Sequence, residues 1–169
     1  MRVFRHASAI DERREYFQVD LWEKSQSFFE ERFNKDKKCP QDIKQVWFAG
    51  VHADVGGGYN VYLSGLSKFS LIWMIEEASK FGFSIDKALY DRVAWGENLI
   101  DQFHAKPTLA APQNSMSGGW EALGGDDRTI ENGSSIHQSV FRCREAIQNY
   151  KPRNLPESYE IVPMSVFRG

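Results

Sequence analysis

Apolar positions along the chain fall into two rhythms. In IKQVWFAGV they run almost unbroken from Val46 to Val51 and are rich in β-branched and aromatic residues, which predicts a strand covered on both faces. In GLSKFSLIWMIEEASKFGF they recur every three to four residues, at Leu66, Phe69, Ile72, Trp73 and Ile75. That spacing predicts a helix, and Gly82 supplies its stop. SIDKALYDRVAWGENLI reads as another helix, with Leu89, Val93 and Ile100 as its buried edge and Gly96 as a weak point. RHASAIDERREYF places Ala7, Ala9 and Ile10 ahead of the charged run Asp11–Arg14, then Tyr16 and Phe17, and is expected to be helical or to start a helix. SQSFFEERFNKDKKCP is amphipathic around Phe28, Phe29 and Phe33 before a charged loop that Pro40 stops.

Towards the C-terminus, Ser135 three residues before Gln138 forms a capping box for a helix carrying Val140, Phe141 and Ile147, which Pro152 ends. YEIVPMSVF adds a short edge strand whose pairing Pro163 restricts. From His104 to Gly133 the chain is rich in Pro, Gly, Asn and Ser without a period, the mark of a functional lid or of a segment held by tertiary contacts. One good strand leaves its own ladder edges open. Other segments, or another protomer, are therefore expected to pair with QVWFAGV.

At 169 residues the chain has the length of a single domain able to bury a core. A net charge of −2 disfavours nucleic acid as a partner, because no basic excess is there to neutralise phosphates. Cys39 and Cys143 lie far apart with no CxxC or spaced histidine, so neither a zinc knuckle nor a disulfide framework is indicated. No apolar stretch approaches the roughly 20 residues that span a bilayer, and MRVFRHASAIDERR has no signal-peptide core. The expected location is the cytoplasm, or outside the cell without a cleaved signal. Five Trp and twelve Phe are best read as core filling, with an apolar cleft as the other use for them.

The chemistry concentrates in WFAGVHADVGGGY. His52 and Asp54 stand where the apolar run breaks into three glycines, on a strand–loop–helix junction. Ligands in open α/β sheets bind outside the carboxyl ends of the strands. His52 is thus a candidate base and Asp54 a candidate acid, against the plainer reading of a tight turn with a solvated Asp and a hydrogen-bonded His. The Lys and hydroxyl residue of a phosphate loop do not follow the glycines, and no third metal ligand is evident, so neither cofactor nor metal is expected. His137 is the competing base, in the first turn of the capped helix, where the dipole favours a neutral imidazole. His6 and His104 have less context. DERR could clamp a carboxylate or phosphate, although an internally paired surface cluster is the commoner use.

RHASAIDERREYF, VWFAGVHADVGGGY, GLSKFSLIWMIEEASKFGF, NSMSGGWEALGG and SIHQSVFRC, in this order, resemble the α/β-hydrolase family that includes the phospholipase effectors of bacterial type VI secretion systems. The resemblance runs from about residue 6 to residue 144. It implies an α/β fold of which residues 1–169 are a single partial domain, the C-terminal portion, helix-rich with few strands. It also implies a serine esterase triad in the chain order Ser, acid, His. In that order His52 is the base and Asp54 shapes the loop; in the other mapping Asp54 is the acid and His137 the base. No G-x-S-x-G occurs in the chain, and the acid expected before His52 is missing too. The resemblance therefore implies a lipase- or phospholipase-like ester hydrolase that is inactive alone, with a lipid or other acyl ester as substrate once an upstream segment or partner subunit completes it. Homo-oligomerisation and peripheral membrane contact are consistent with it. The competing reading is a non-catalytic module that associates through its exposed strand and apolar helices.

Overall fold

The computed structural model describes residues 1–23, 27–31, 33–34, 36–96 and 107–165. Strand β1 (Val3–Ala9) is followed by the hairpin strands β2 (Ser27–Phe29) and β3 (Lys38–Pro40), then by β4 (Asp42–Phe48). Helices α1 (His52–Gly56), α2 (Ser67–Ser79) and α3 (Lys87–Trp95) precede β5 (Ser134–His137), α4 (Gln138–Ala146) and β6 (Tyr159–Val162). The fold is mixed α/β. Its main sheet has the order β1-β4-β5-β6 with every neighbouring pair parallel, and β2 pairs with β3 in a separate antiparallel ribbon.

The unbroken apolar run of β4 explains its central place. Val46, Trp47 and Phe48 are all but fully buried, with β1 on one side and β5 on the other. Helix α2 packs Phe69 and Trp73 into the same core, where Trp73 lies 5.7 Å from the Phe48 ring. Helix α3 instead buries Tyr90 and Ala94 against Ile72 of α2. Gly96 closes it at a φ of +63°, the left-handed conformation that suits a helix C-cap.

Several sequence expectations change. RHASA is strand, not helix: residues Val3–Ala9 pair along their whole length with Asp42–Phe48, and that pairing overrides the helix preference of Ala7 and Ala9. Phe28 and Phe29 sit in the β2–β3 ribbon, where Phe28 faces Cys39. Ser135 lies within β5 and caps nothing; the cap of α4 is His137, whose Nδ1 accepts the Ser139 amide. Leu89 is exposed rather than a buried edge, because packing against α2 turns Tyr90 and Ala94 inward. Ile100 and His104 lie outside the described residues. The chain itself supplies two partners, β1 and β5, for the strand that periodicity picked out plainly, and β6, paired with β5, is the edge strand expected at YEIV. The irregular segment is held by contacts from Pro107 onward: Thr108 donates to the Gly65 carbonyl, and the Gln113 amide to Asp54.

Candidate active site at the carboxyl edge of the sheet

Parallel strands end together, so the residues just past β1 and β4 share one edge. The backbone continues the pairing there, with the Ile10 amide on the Phe48 carbonyl (3.0 Å) and the Asp11 amide on that of Gly50 (3.1 Å). Glu12 is thereby carried beneath the first turn of α1. It is fully buried, yet it is densely solvated by the protein. Its Oε1 accepts from the Arg13 amide, the Arg14 amide and Arg14 Nε; its Oε2 accepts from Arg14 Nη2 (2.8 Å), the His52 amide and His52 Nδ1 (2.8 Å). Burial alone would push this carboxyl up. The hydrogen bonds from Arg14, from His52 and from the backbone outweigh it and hold Glu12 below the usual carboxylate range.

His52 projects outward from this buried acid, its side chain 44% exposed. One ring face stacks on Phe17 at 4.3 Å, and Arg14 lies over Phe17 and Trp120, so three side chains fix the ring plane. Arg14 Nη2 also comes within 2.7 Å of Nδ1. Two tautomers compete for that contact. Arg14 Nη2 has a second N–H that could reach a bare Nδ1, but that tautomer would set the Nδ1 lone pair 2.8 Å from the Glu12 carboxylate oxygen, which can only accept; the tautomer that satisfies Glu12 carries the proton on Nδ1 and leaves the Nε2 lone pair free. A buried carboxylate orienting an exposed imidazole in this way is the arrangement a general base needs.

Asp54 and His137 have other partners. Asp54 is buried, and its Oδ2 accepts the Val51 amide and the Gln113 amide, both at 3.0 Å, tying α1 to the irregular segment. Burial raises its pKa against these two bonds. Its Cβ packs on Gly50, whose φ of +109° and lack of room make glycine obligatory: a Cβ there would stand 2.4 Å from that of Asp54. His137 is buried at the end of β5 and stacks on Phe48 at 4.3 Å. Its Nδ1 accepts the Ser139 amide, which places the proton on Nε2, and burial pulls its pKa down to about 4. It lines an apolar cavity of about 370 Å³ with Phe69, Trp95 and Leu109, whereas His52 opens on a different cleft.

That cleft, of about 840 Å³, runs from His52 along the outer edge of β1. Four serines line it. Ser64, Ser67 and Ser70 donate to the carbonyls of Val61, Ser64 and Val55, and Ser8 lies buried within β1. Beside Glu12, Asp11 holds the Gly50 amide (2.7 Å) and the Tyr150 hydroxyl (2.8 Å). Burial pushes Asp11 up to about 6 against both bonds.

Sequence reasoning singled out His52 but missed Glu12, the buried carboxylate hydrogen-bonded to its ring. DERR is internally paired, Arg14 on Glu12 at 2.8 Å, but that pair is not at the surface: Glu12 is inaccessible and the Arg14 side chain only 12% exposed. The available signal was a carboxylate immediately past an alternating small-residue strand, hidden because that strand was read as helix. Among the described residues, no group of three His, Cys, Asp or Glu could hold a metal ion, and no helix is long and apolar enough to cross a membrane.

Comparison with curated proteins and with solved structures returned no match. One family does match, over residues 1–77, a span that holds β1, Glu12, Arg14, β4, His52, the glycine loop and most of α2. Those residues are similar to the family described as "T6SS, Phospholipase effector Tle1-like, catalytic domain", and they support for this chain a phospholipase effector-like assignment.

Proposed function

We propose that residues 1–169 form the acid–base half of a serine carboxylic-ester hydrolase of α/β-hydrolase type, acting on phospholipids. The observation that carries this is the hydrogen bond from the exposed His52 ring, through Nδ1, to the buried Glu12 carboxylate. Nε2 takes the proton of an attacking hydroxyl, and the imidazolium that forms is stabilised by a carboxylate that stays ionised throughout. The same nitrogen then returns the proton to the departing alkoxide. Acid and base follow neighbouring parallel strands in the order acid, then His, which the chain order of such triads requires.

The nucleophile comes from outside these residues. Three of the four cleft serines are committed to backbone carbonyls, and Ser8 is buried in the sheet. The purified chain is therefore expected not to hydrolyse short acyl esters. Robust hydrolysis abolished by His52→Ala would show that the nucleophile is present after all. In any longer chain or complex that contains residues 1–169 and cleaves phospholipid, His52→Ala should lower kcat by roughly 10²–10⁴; an unchanged kcat would refute the role of His52.

A further inference from the structure

We propose that Lys68 and Arg128 form a phosphate subsite at the His52 end of the 840 Å³ cleft, where they take the phosphodiester of a phospholipid and so select it over a neutral ester. The identity of the phosphate as a lipid's rests on the function proposed above; the preference for an anion rests on charge and geometry. Three cations line the cleft, Arg5, Lys68 and Arg128, against one exposed acid, Asp20. Arg5 is committed to Glu77 and Asp42. Neither Lys68 nor Arg128 has an ion-pair partner among the described residues.

The fold brings these two cations to one place. Helix α2 runs opposite to β1, because Arg5 near the start of β1 meets Glu77 near the end of α2. In the first turn of α2, Ser70 donates to the Val55 carbonyl of α1. Lys68 therefore stands level with the end of β1, beside α1 and the glycine loop. Arg128 reaches the same end from the irregular segment. Its Nη1 donates to the carbonyl of Ala9, the last residue of β1, at 2.7 Å, and its Nη2 donates to the carbonyl of Phe17, whose ring stacks on His52 at 4.3 Å. Those bonds fix the guanidinium and use two of its five N–H groups, which leaves donors for a ligand.

Half-buried cations without an acid carry a desolvation cost. Burial lowers the pKa of both side chains, and at Arg128 the Glu12 charge, beyond ion-pair distance, only partly offsets it. A bound anion removes that cost. A phosphodiester spreads its charge over two oxygens, which suits the planar fork of an arginine on one side and the point charge of a lysine on the other. In a glycerophospholipid the acyl esters stand a few bonds from the phosphate, so an anchored phosphate holds an ester in the cleft that His52 opens on. A triacylglycerol offers the two cations nothing to bind.

The test is an NMR titration of the purified chain with three soluble probes: glycerophosphoglycerol, a phosphodiester; inorganic phosphate, at a pH where both carry a single charge; and triacetin, a neutral ester. The diester should saturably shift the Arg128 Nε–H, Lys68 Cε and His52 ring signals, and should bind more tightly than inorganic phosphate. Lys68→Gln should weaken the diester roughly tenfold, the order expected when a charge-assisted hydrogen bond is lost. Arg128 is read in the wild type, because replacing it also releases the Ala9 and Phe17 carbonyls. No shift at Lys68 and Arg128, or a folded Lys68→Gln that binds the diester as the wild type does, would overturn the proposal. So would tighter binding of inorganic phosphate, which would make this a free-phosphate site, or triacetin shifting the same signals, which would show that charge is not what is recognised. His52→Ala should bind the diester like the wild type. A chain that binds the diester while its His52 proves not to be the base would therefore sink the acid–base reading and leave the subsite standing.

Discussion

Replacing Asp11 by Asn should stabilise the protein at neutral pH, although Asp11 makes two good hydrogen bonds. The asparagine amide would keep a carbonyl oxygen for the Gly50 amide and the Tyr150 hydroxyl, which approach Asp11 at 2.7 and 2.8 Å, but would remove the buried charge. Burial, opposed by those bonds, raises Asp11 from 3.8 to about 6. A folded-state pKa above the unfolded one means that the stabilising form is the protonated one: its contribution is complete below pH 3.8 and is lost as pH rises through about 6. A shift of two units corresponds to about 3 kcal/mol. His137 runs the other way. Burial lowers it from 6.5 to about 4, so its contribution is complete above pH 6.5 and is lost as pH falls through about 4, again about 3 kcal/mol. Across pH 4 to 6.5 the two nearly cancel in the wild type. Urea unfolding followed by tryptophan fluorescence, extrapolated to water at several pH values, should show Asp11→Asn more stable than wild type by up to about 3 kcal/mol at pH 7. The gap should close towards pH 4, exposing the His137 slope. A variant less stable at every pH, or a gap that does not change with pH, would show that the Asp11 charge is not what burial penalises.

Gly50→Ala combines a φ of +109° with a Cβ 2.4 Å from that of Asp54, and should cost roughly 2–5 kcal/mol in the same unfolding assay; a loss under 1 kcal/mol would mean that the turn relaxes freely. Glu12→Ala leaves Arg14 and His52 without their common acceptor and should cost roughly 3–5 kcal/mol, whereas a neutral substitution would show that the pair is not tightly held. Glu77 is buried among cationic partners: burial would raise its carboxyl, but Lys80, Arg5 and Lys44 pull it down to about 2. Its contribution is present above pH 4.5 and lost as pH falls through about 2, so Glu77→Gln should flatten the acid limb of the stability profile below pH 4.5; an unchanged limb would contradict the assignment.

The elements legible in the sequence were those whose burial is local and strongly patterned. β4 announced itself by being apolar on both faces, and α2 by its three-to-four spacing. β1 did not, because Ala7, Ser8 and Ala9 carry no strong strand preference and become strand through pairing with Val46–Phe48, far along the chain. β5 was hidden likewise: SSIH is too short to show alternation, and Ser135 with Gln138 imitates a helix start. The site was legible in the same proportion. His52 sits at the end of the plain strand and could be picked out, whereas Glu12 depends on β1 being a strand at all. With RHASA taken for helix, DERR has the look of an internally paired surface cluster, and nothing marks Glu12 as the carboxylate beneath His52.

The role of His52 as a base turns on one proton. The ¹⁵N resonances of the His52 ring, read through their long-range couplings to the ring hydrogens at pH 8, report which nitrogen is protonated. The expected result is the Nδ1–H tautomer in the wild type, held by Glu12 Oε2 at 2.8 Å, and its loss in Glu12→Gln. A wild-type ring protonated on Nε2 would mean that Nδ1 accepts from Arg14 instead, leaving no lone pair on Nε2 to take a proton and ruling out His52 as the base.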